Sequence, residues 1–463
     1  MTYMDRKNLW NTYDEAHLQE LEGVTGRYLP CLDLGKTERE CVRITKELAQ
    51  KAGYRDMKDL IERREPVKAG DKVYMDYAEK AVVLFQAGSE PLVNGMNILG
   101  AHIDSPRIDI KQNPLYEDAQ MAYLDTHYYG GIKKYQWVAM PLALHGVVIK
   151  KDGTKVDIVI GEREDEPALA ITDLLPHLAY EQMEKKADKF LDAEKMDLLI
   201  GNRPVKGEEK EAVKAQILQI LDETYGIEEG DFLSAELEVV PAGRARVCGL
   251  DRSMVMAYGQ DDRVCAFTSL LAMLSEKEVK RTSCCILIDK EEIGSVGASG
   301  MTSKFFENTV AEYLSLCGQY DELTLRRTLS KSKMLSSDVS AAFDPMFEEA
   351  FEKKNAAYLA HGPVFNKYTG KGGKGGSNDA NAEYMAELRA VMERNNVQFQ
   401  TAELGRVDLG GGGTIAYIMA AYGMEVIDSG VAVLSMHAPW EIASKADIYE
   451  AVRAYEAFLK AEF

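Results

Sequence analysis

Asn97-Ile-Leu-Gly-Ala-His102 is a short apolar run that stops on a polar side chain. Cys284-Cys-Ile-Leu-Ile-Asp289 has the same shape, and Met334-Leu-Ser-Ser-Asp338 repeats it more weakly. Each reads as a buried strand that delivers its last side chain to a crevice. In open α/β sheets, ligands bind outside the carboxyl ends of the strands. The three runs predict an α/β fold with its site where they end.

Flanking segments supply the helices. Thr37 and Glu40 have capping-box spacing and open a helix to about residue 52, with Val42, Ile44 and Leu48 among its apolar positions. A closing helix starts near Ser444 and is apolar at Ile448, Val452, Tyr455 and Leu459. Between residues 108 and 245 the character changes. Val147–Ile149 and Val156–Ile160 flank an Asp152-Gly153 turn, an antiparallel hairpin signal. A lysine- and glutamate-rich run over 181–195 is expected to be a solvated helix face, followed by an amphipathic helix around Val213, Ile217, Ile220 and Leu221. The expected organisation is an α/β domain over 1–107 and 246–463, with a β-rich domain over 108–245 inserted into it. No internal repeat is present.

The chain has 463 residues, 46% of them hydrophobic, enough for one or more full cores. No apolar run approaches the roughly 18 residues of a membrane span. The first residues lack the basic start and apolar stretch of a signal peptide. A net charge of −20, spread along the chain, repels phosphate backbones and anionic lipid, so neither nucleic acid nor membrane is an expected partner. Seven cysteines without a C-x-x-C pair fit reduced thiols in a cytoplasm.

Gly35-Lys36-Thr37 ends like a phosphate loop, but Pro30 occupies the position of its first glycine. The glycine runs around Lys371 and Lys374 and over 410–413 do not follow a strand in the dinucleotide pattern; they read as flexible or substrate-lining loops. Of seven histidines, two stand apart: His102 ends a strand two residues before Asp104, and His437 ends an apolar run in Leu-Ser-Met-His. Taken singly, each is more often an ordinary core or surface histidine. A carboxylate at Asp104 can hold the second ring N–H of His102, as metal-binding histidines require. Asp261 and Asp262 precede an apolar helix, where the plain alternative is a cap. Glu291 and Glu292 follow a strongly apolar strand, and Asp338 ends another. Two histidines and three carboxylates, one bridging, can hold two divalent ions with positions left for water. A further carboxylate beside them can take the water's proton. That is a hydrolase layout.

Five segments in this order, GAHIDSP (100–106), GQDDRV (259–264), DKEEIGS (289–295), SSDVSAAFDP (336–345) and LSMHAPWE (434–441), resemble the aspartyl aminopeptidase family, metallopeptidase family 18, and most of all its bacterial, clostridial-type branch. The resemblance runs over nearly the whole chain. It implies a three-layer α/β/α di-zinc peptidase domain carrying an inserted β-rich dimerisation domain. His102 and Asp338 resemble the ligands of one metal, Glu292 and His437 those of the other, and Asp261 the bridge. Glu291 resembles the general base and Asp104 the carboxylate supporting His102. His177 matches a histidine that reaches a neighbouring subunit's active site. The implied cofactors are two Zn2+ per subunit, with Mn2+ or Co2+ as alternatives, and the implied assembly is dimers building a dodecamer. Implied partners are peptides with a free N-terminus. Acid-selective members carry a histidine where this chain has Ala341, and their substrate-binding lysine matches either Lys371 or Lys374. The expected N-terminal residue is therefore acidic or neutral. A co-catalytic deacylase or a non-catalytic scaffold of the same fold are the alternatives.

Overall fold

The computed structural model describes residues 7–370 and 375–463. Its chain divides into two compact units, one of Met1–Asp104, Ala245–Met436 and Glu441–Phe463, the other of Ser105–Arg244 and His437–Trp440.

The first unit is built on a nine-stranded sheet. In spatial order its strands are Arg55–Asp56, Lys72–Tyr77, Ala81–Gln86, Ser283–Ile288, Asn97–His102, Lys333–Ser336, Glu425–Gly430, Val364–Asn366 and Gln400–Thr401. The three runs singled out in the sequence are neighbours at its centre, pair in parallel, and are buried at nearly every position. Alternation along them separates two cores. Leu99, Ala101, Leu287, Leu335 and Ile427 pack with the helices Glu15–Leu34, Glu38–Lys51, Gln260–Ser275, Ala382–Arg394 and Lys445–Leu459. Ile98, Ile286, Ile288, Met334 and Val426 pack with Phe305–Leu316, Glu322–Ser330 and the region of Ala416–Ala420. Helices on both faces make the unit an α/β/α sandwich. The helix from Glu38 carries its capping box, with Thr37 and Glu40 reciprocally bonded. Asn97 spans the layers: its amide donates to the carbonyls of Phe458, Leu459 and Ala461 at 3.1, 3.3 and 2.9 Å, satisfying the end of the closing helix. A five-stranded sheet completes the unit.

The second unit holds a six-stranded antiparallel sheet. Its hairpin Leu142–Ile149 to Lys155–Ile160 turns at Asp152-Gly153, where Gly153 takes φ +88° and Asp152 accepts the N–H of Thr154. The helix Ala212–Tyr225 starts where Glu117 accepts the N–H groups of Val213 and Lys214 at 2.9 and 3.0 Å. The charge run over 181–195 is not the expected helix. Only Tyr180–Met183 is helical, and after turns a 3-10 segment covers Ala193–Lys195. Met183, Ala187, Phe190 and Leu191 do fall at i, i+4, i+7 and i+8, but Met183 and Ala187 are exposed and Phe190 is only half-buried, so no packing against a neighbour holds a helix there. No helix among the described residues is long and apolar enough to cross a membrane.

Candidate metal centre

The parallel strands of the large sheet end together, and the candidate side chains of the first unit gather there. His102 ends its strand at 2% exposure. Its Nδ1 lies 3.0 Å from the carbonyl oxygen of Asp104. A carbonyl only accepts, so Nδ1 carries the proton and Nε2 of the neutral ring presents a lone pair. The Asp104 carboxylate stands 3.4 Å from the same Nδ1, and it also accepts the backbone N–H groups of Glu291 and Glu292 at 3.1 and 3.2 Å. One buried carboxylate thus links the histidine to the glutamate turn. That turn, Glu291–Ile293, is a single 3-10 segment between Lys290 at φ +71° and Gly294 at φ +90°.

Asp261 and Asp262 lie at the start of the element Gln260–Ser275, but their φ/ψ values are non-helical and the bond between them is cis. Regular helix begins only after them. Gln260 ties this lead-in to the carbonyls of Val255 and Glu441 at 3.2 and 2.7 Å, and Glu441 accepts the N–H of Asp261 at 3.0 Å. Arg263, wholly buried, donates to the carbonyls of Ile103 and Lys36 at 3.3 and 2.7 Å. Asp262 accepts the N–H of His102 at 3.3 Å. Asp338 follows the strand Lys333–Ser336.

His102, Asp261 and Asp338 offer donor atoms that all lie within 4.8 Å of one another, and so do His102, Glu291 and Glu292. His102 Nε2 faces Asp261 Oδ1 at 3.3 Å, and in the neutral ring this sets one lone pair against another. Two bonds of about 2.0–2.2 Å meeting at a tetrahedral angle would hold such atoms roughly 3.4 Å apart. The donor set therefore fits a divalent cation. Without one the charges conflict. Burial first, then the charges of Asp262, Glu291 and Asp261, push the Asp338 carboxyl well above its usual range. Burial and Asp261 do the same to Asp262. Burial pushes His102 down, but Asp104, Asp261 and Asp262 outweigh it and favour its charged form. Carboxylates crowded and buried in this way suit a cation between them.

The family model for aminopeptidase I zinc metalloprotease, M18, matches residues 32–459. The chain belongs to the M18 family. It is a metal-dependent aminopeptidase, a hydrolase acting on peptide bonds. A probable M18 family aminopeptidase 1 of Clostridium acetobutylicum is 60% identical over 454 residues, 98% of each chain. The crystal structure of aminopeptidase I from the same organism superposes with a TM-score of 0.92 at 56% identity, covering 99% of both chains. The M18 aminopeptidase structure from Thermotoga maritima gives 0.94 at 43% identity, covering 98% of this chain and 99% of that one.

Against the M18 motifs, the other expected residues are placed as follows. His437 groups with the second unit, has φ +63°, and its Nδ1 donates to the Gly131 carbonyl at 2.8 Å. His177 is exposed in the 3-10 segment Pro176–Leu178 of that unit. Ala341 ends the two-residue strand Ser340–Ala341. Lys371 and Lys374 lie outside the described residues. Two supporting residues escaped the sequence reading, Glu441 on the Asp261 N–H and Arg263 on the turn after His102, while Asp262, noted there beside Asp261, accepts the His102 N–H. Glu441 and Arg263 lie inside the quoted motifs, but nothing in their spacing signals a hydrogen bond to backbone more than a hundred residues away.

Proposed function

We propose that this M18 aminopeptidase works through two divalent ions, one held by His102 and Asp338, the other by Glu292 and His437, with Asp261 shared between them. The observation that carries the reading is the facing pair of His102 Nε2 and Asp261 Oδ1, with Asp338 closing the group. Zn2+ is the proposed occupant; Mn2+ and Co2+ suit the same nitrogen and oxygen donors. When bound, such ions acidify a water and polarise the scissile carbonyl.

The chain's own residues supply the rest. Glu291 takes the proton of the attacking water and passes it to the departing amine. Its place beside Glu292 on one short turn, with both N–H groups held by Asp104, supports a division in which Glu292 binds metal and Glu291 faces the water. Asp104 fixes the tautomer of His102 and the angle of the glutamate turn together. The substrate is a peptide with a free α-amine, and Ala341 in place of a histidine favours neutral as well as acidic N-terminal residues.

Assembly through the inserted unit, as dimers building a dodecamer with His177 entering a neighbouring subunit's site, belongs to the same proposal. Leu174, Leu175, Leu178, Tyr180 and Met183, all large, apolar and exposed around His177, support it. The unpaired cysteines support work in the cytoplasm. The test is Glu291→Gln: turnover is lost while the metal content of the purified protein stays at the wild-type value. Loss of metal along with activity would contradict the base assignment.

A further inference from the structure

Asp428 is an ionisable residue inside the buried strand Glu425–Gly430 of the large sheet, and it is only 1% exposed. Strand register fixes its neighbours. Ser336 pairs with it across one strand boundary and Asn366 across the other, so the three side chains share one row and one face. Beyond Ser336 the row continues to Gly100, which carries no side chain. His102 lies two residues past Gly100 on the same face, about 7 Å along the strand. All of these residues belong to the first unit.

Both carboxylate oxygens of Asp428, the hydroxyl of Ser336 and the side-chain carbonyl of Asn366 are buried and have no hydrogen-bond partner among the described residues. Asn366 directs its amide N–H to Ser340 Oγ at 3.5 Å, which leaves its oxygen unused. Burial pushes the Asp428 carboxyl up to about 6, and the facing hydroxyls of Thr414, Ser336 and Thr369 keep it from rising further. None of those hydroxyls completes a hydrogen bond to it. Thr369 Oγ1 accepts the N–H of Asn378 and Thr414 Oγ1 that of Ala416, both at 3.2 Å, so each keeps a second lone pair. The loops that carry these threonines are joined where Gly370 N–H donates to the Gly412 carbonyl at 2.7 Å.

The charge selects the occupant. At neutral pH Asp428 is ionised, and a carboxylate shut away from water is costly unless a positive charge answers it. No basic side chain among the described residues forms an ion pair with it. Water satisfies polar atoms of this kind but leaves the charge unbalanced. A divalent ion would leave one positive charge in excess and equally buried. One carboxylate with an amide oxygen and three hydroxyls is instead an all-oxygen donor set carrying a single negative charge, which suits a hard monovalent cation. We propose that Asp428 anchors a site for a monovalent cation, K+ or Na+, held between the sheet and the loops of Thr369 and Thr414. The ion ties the strand that leads into Asp338 to those loops. It is distinct from the two divalent ions proposed above and does not depend on them.

The test uses the full-length, metal-loaded protein exchanged into choline chloride, with KCl, NaCl or LiCl replacing choline at constant ionic strength. K+ or Na+ is expected to raise the melting temperature saturably, by about 3 °C at a hundred times the half-saturating concentration. The two half-saturating concentrations identify the preferred ion. Asp428→Asn, of nearly equal volume, is expected to lose the response and to melt no lower than wild type in choline, because it buries no charge. Ser336→Ala removes one oxygen and is expected to raise the half-saturating concentration about tenfold. Melting that does not distinguish K+ and Na+ from choline would overturn the inference. So would a response kept by Asp428→Asn, or destabilisation of that variant by the same amount in every salt. A rise that is equal for K+, Na+ and Li+ and never saturates would be screening of the net charge of −20, and would overturn it too.

Discussion

Asp104→Ala removes the side chain on which both halves of the centre depend. In the native protein its carboxylate accepts two half-buried backbone N–H groups, from Glu291 and Glu292, and stands 3.4 Å from His102 Nδ1. Leaving a buried donor without its acceptor costs about 1–3 kcal/mol. The bonds here, at 3.1 and 3.2 Å, are long and belong to the lower half of that range. Both donors are only half-buried, so the two together make the expected loss of stability about 1–2 kcal/mol. Because the same carboxylate stands beside the proposed ligand His102, metal affinity should also fall about 10–100-fold. Asp104→Asn keeps the volume and one acceptor, so its losses should fall between those of wild type and alanine. Denaturant unfolding of the metal-free protein reads the first quantity, and competition with a chromophoric chelator reads the second. Circular dichroism checks that the fold persists. If the alanine protein unfolds as wild type does and competes equally well for Zn2+, Asp104 does not join the histidine to the glutamate turn and the geometry has been misread.

Other outcomes follow from the same structure. Removing metal by dialysis against chelator should lower the melting temperature, and Zn2+ should restore it in a concentration-dependent way, because binding to the folded state alone stabilises it; an unchanged melting temperature would show that the carboxylates do not need a cation. Burial pushes Asp447 up to about 7, although it accepts the N–H groups of Ala360 and Gly362, both at 2.7 Å. Between the unfolded carboxyl value of about 4 and that value the folded state binds the extra proton, so this group's contribution to stability falls as pH rises through the window. Unfolding curves at pH 4.5 to 7.5 should show that slope in wild type and its loss in Asp447→Asn; equal slopes would contradict it. Leu178→Asp, in the exposed apolar segment of the second unit, should reduce the particle mass seen by light scattering, whereas an unchanged mass would remove that segment from the assembly interface.

Where local chemistry decides the structure, it was legible in the chain. The run Asn97–His102 is a strand over those very residues, the Thr37–Glu40 box caps its helix, and Asp152-Gly153 turns the hairpin. Each signal needs only a few adjacent residues. Strand order was not legible, because Ser283–Ile288 enters between Ala81–Gln86 and Asn97–His102 from nearly two hundred residues away. The 181–195 run misled because its apolar positions, although helically spaced, are left mostly uncovered, and without tertiary packing a short charged segment does not hold a helix. At the centre, His102, Asp261 and Asp338 meet as the motif order suggests. The proximity of Asp104 to His102 in sequence pointed to the contact with Nδ1. Its bonds to the N–H groups of Glu291 and Glu292 depend on the sheet bringing two strand ends together, which one sequence does not display.

Release of the N-terminal residue from unblocked peptides tests the function most directly, with the first residue varied and with chelator, Zn2+, Mn2+ or Co2+ added. Release that chelator abolishes and metal restores, extending to neutral as well as acidic first residues, is the predicted result. No release under any metal, or release indifferent to chelator, would contradict it.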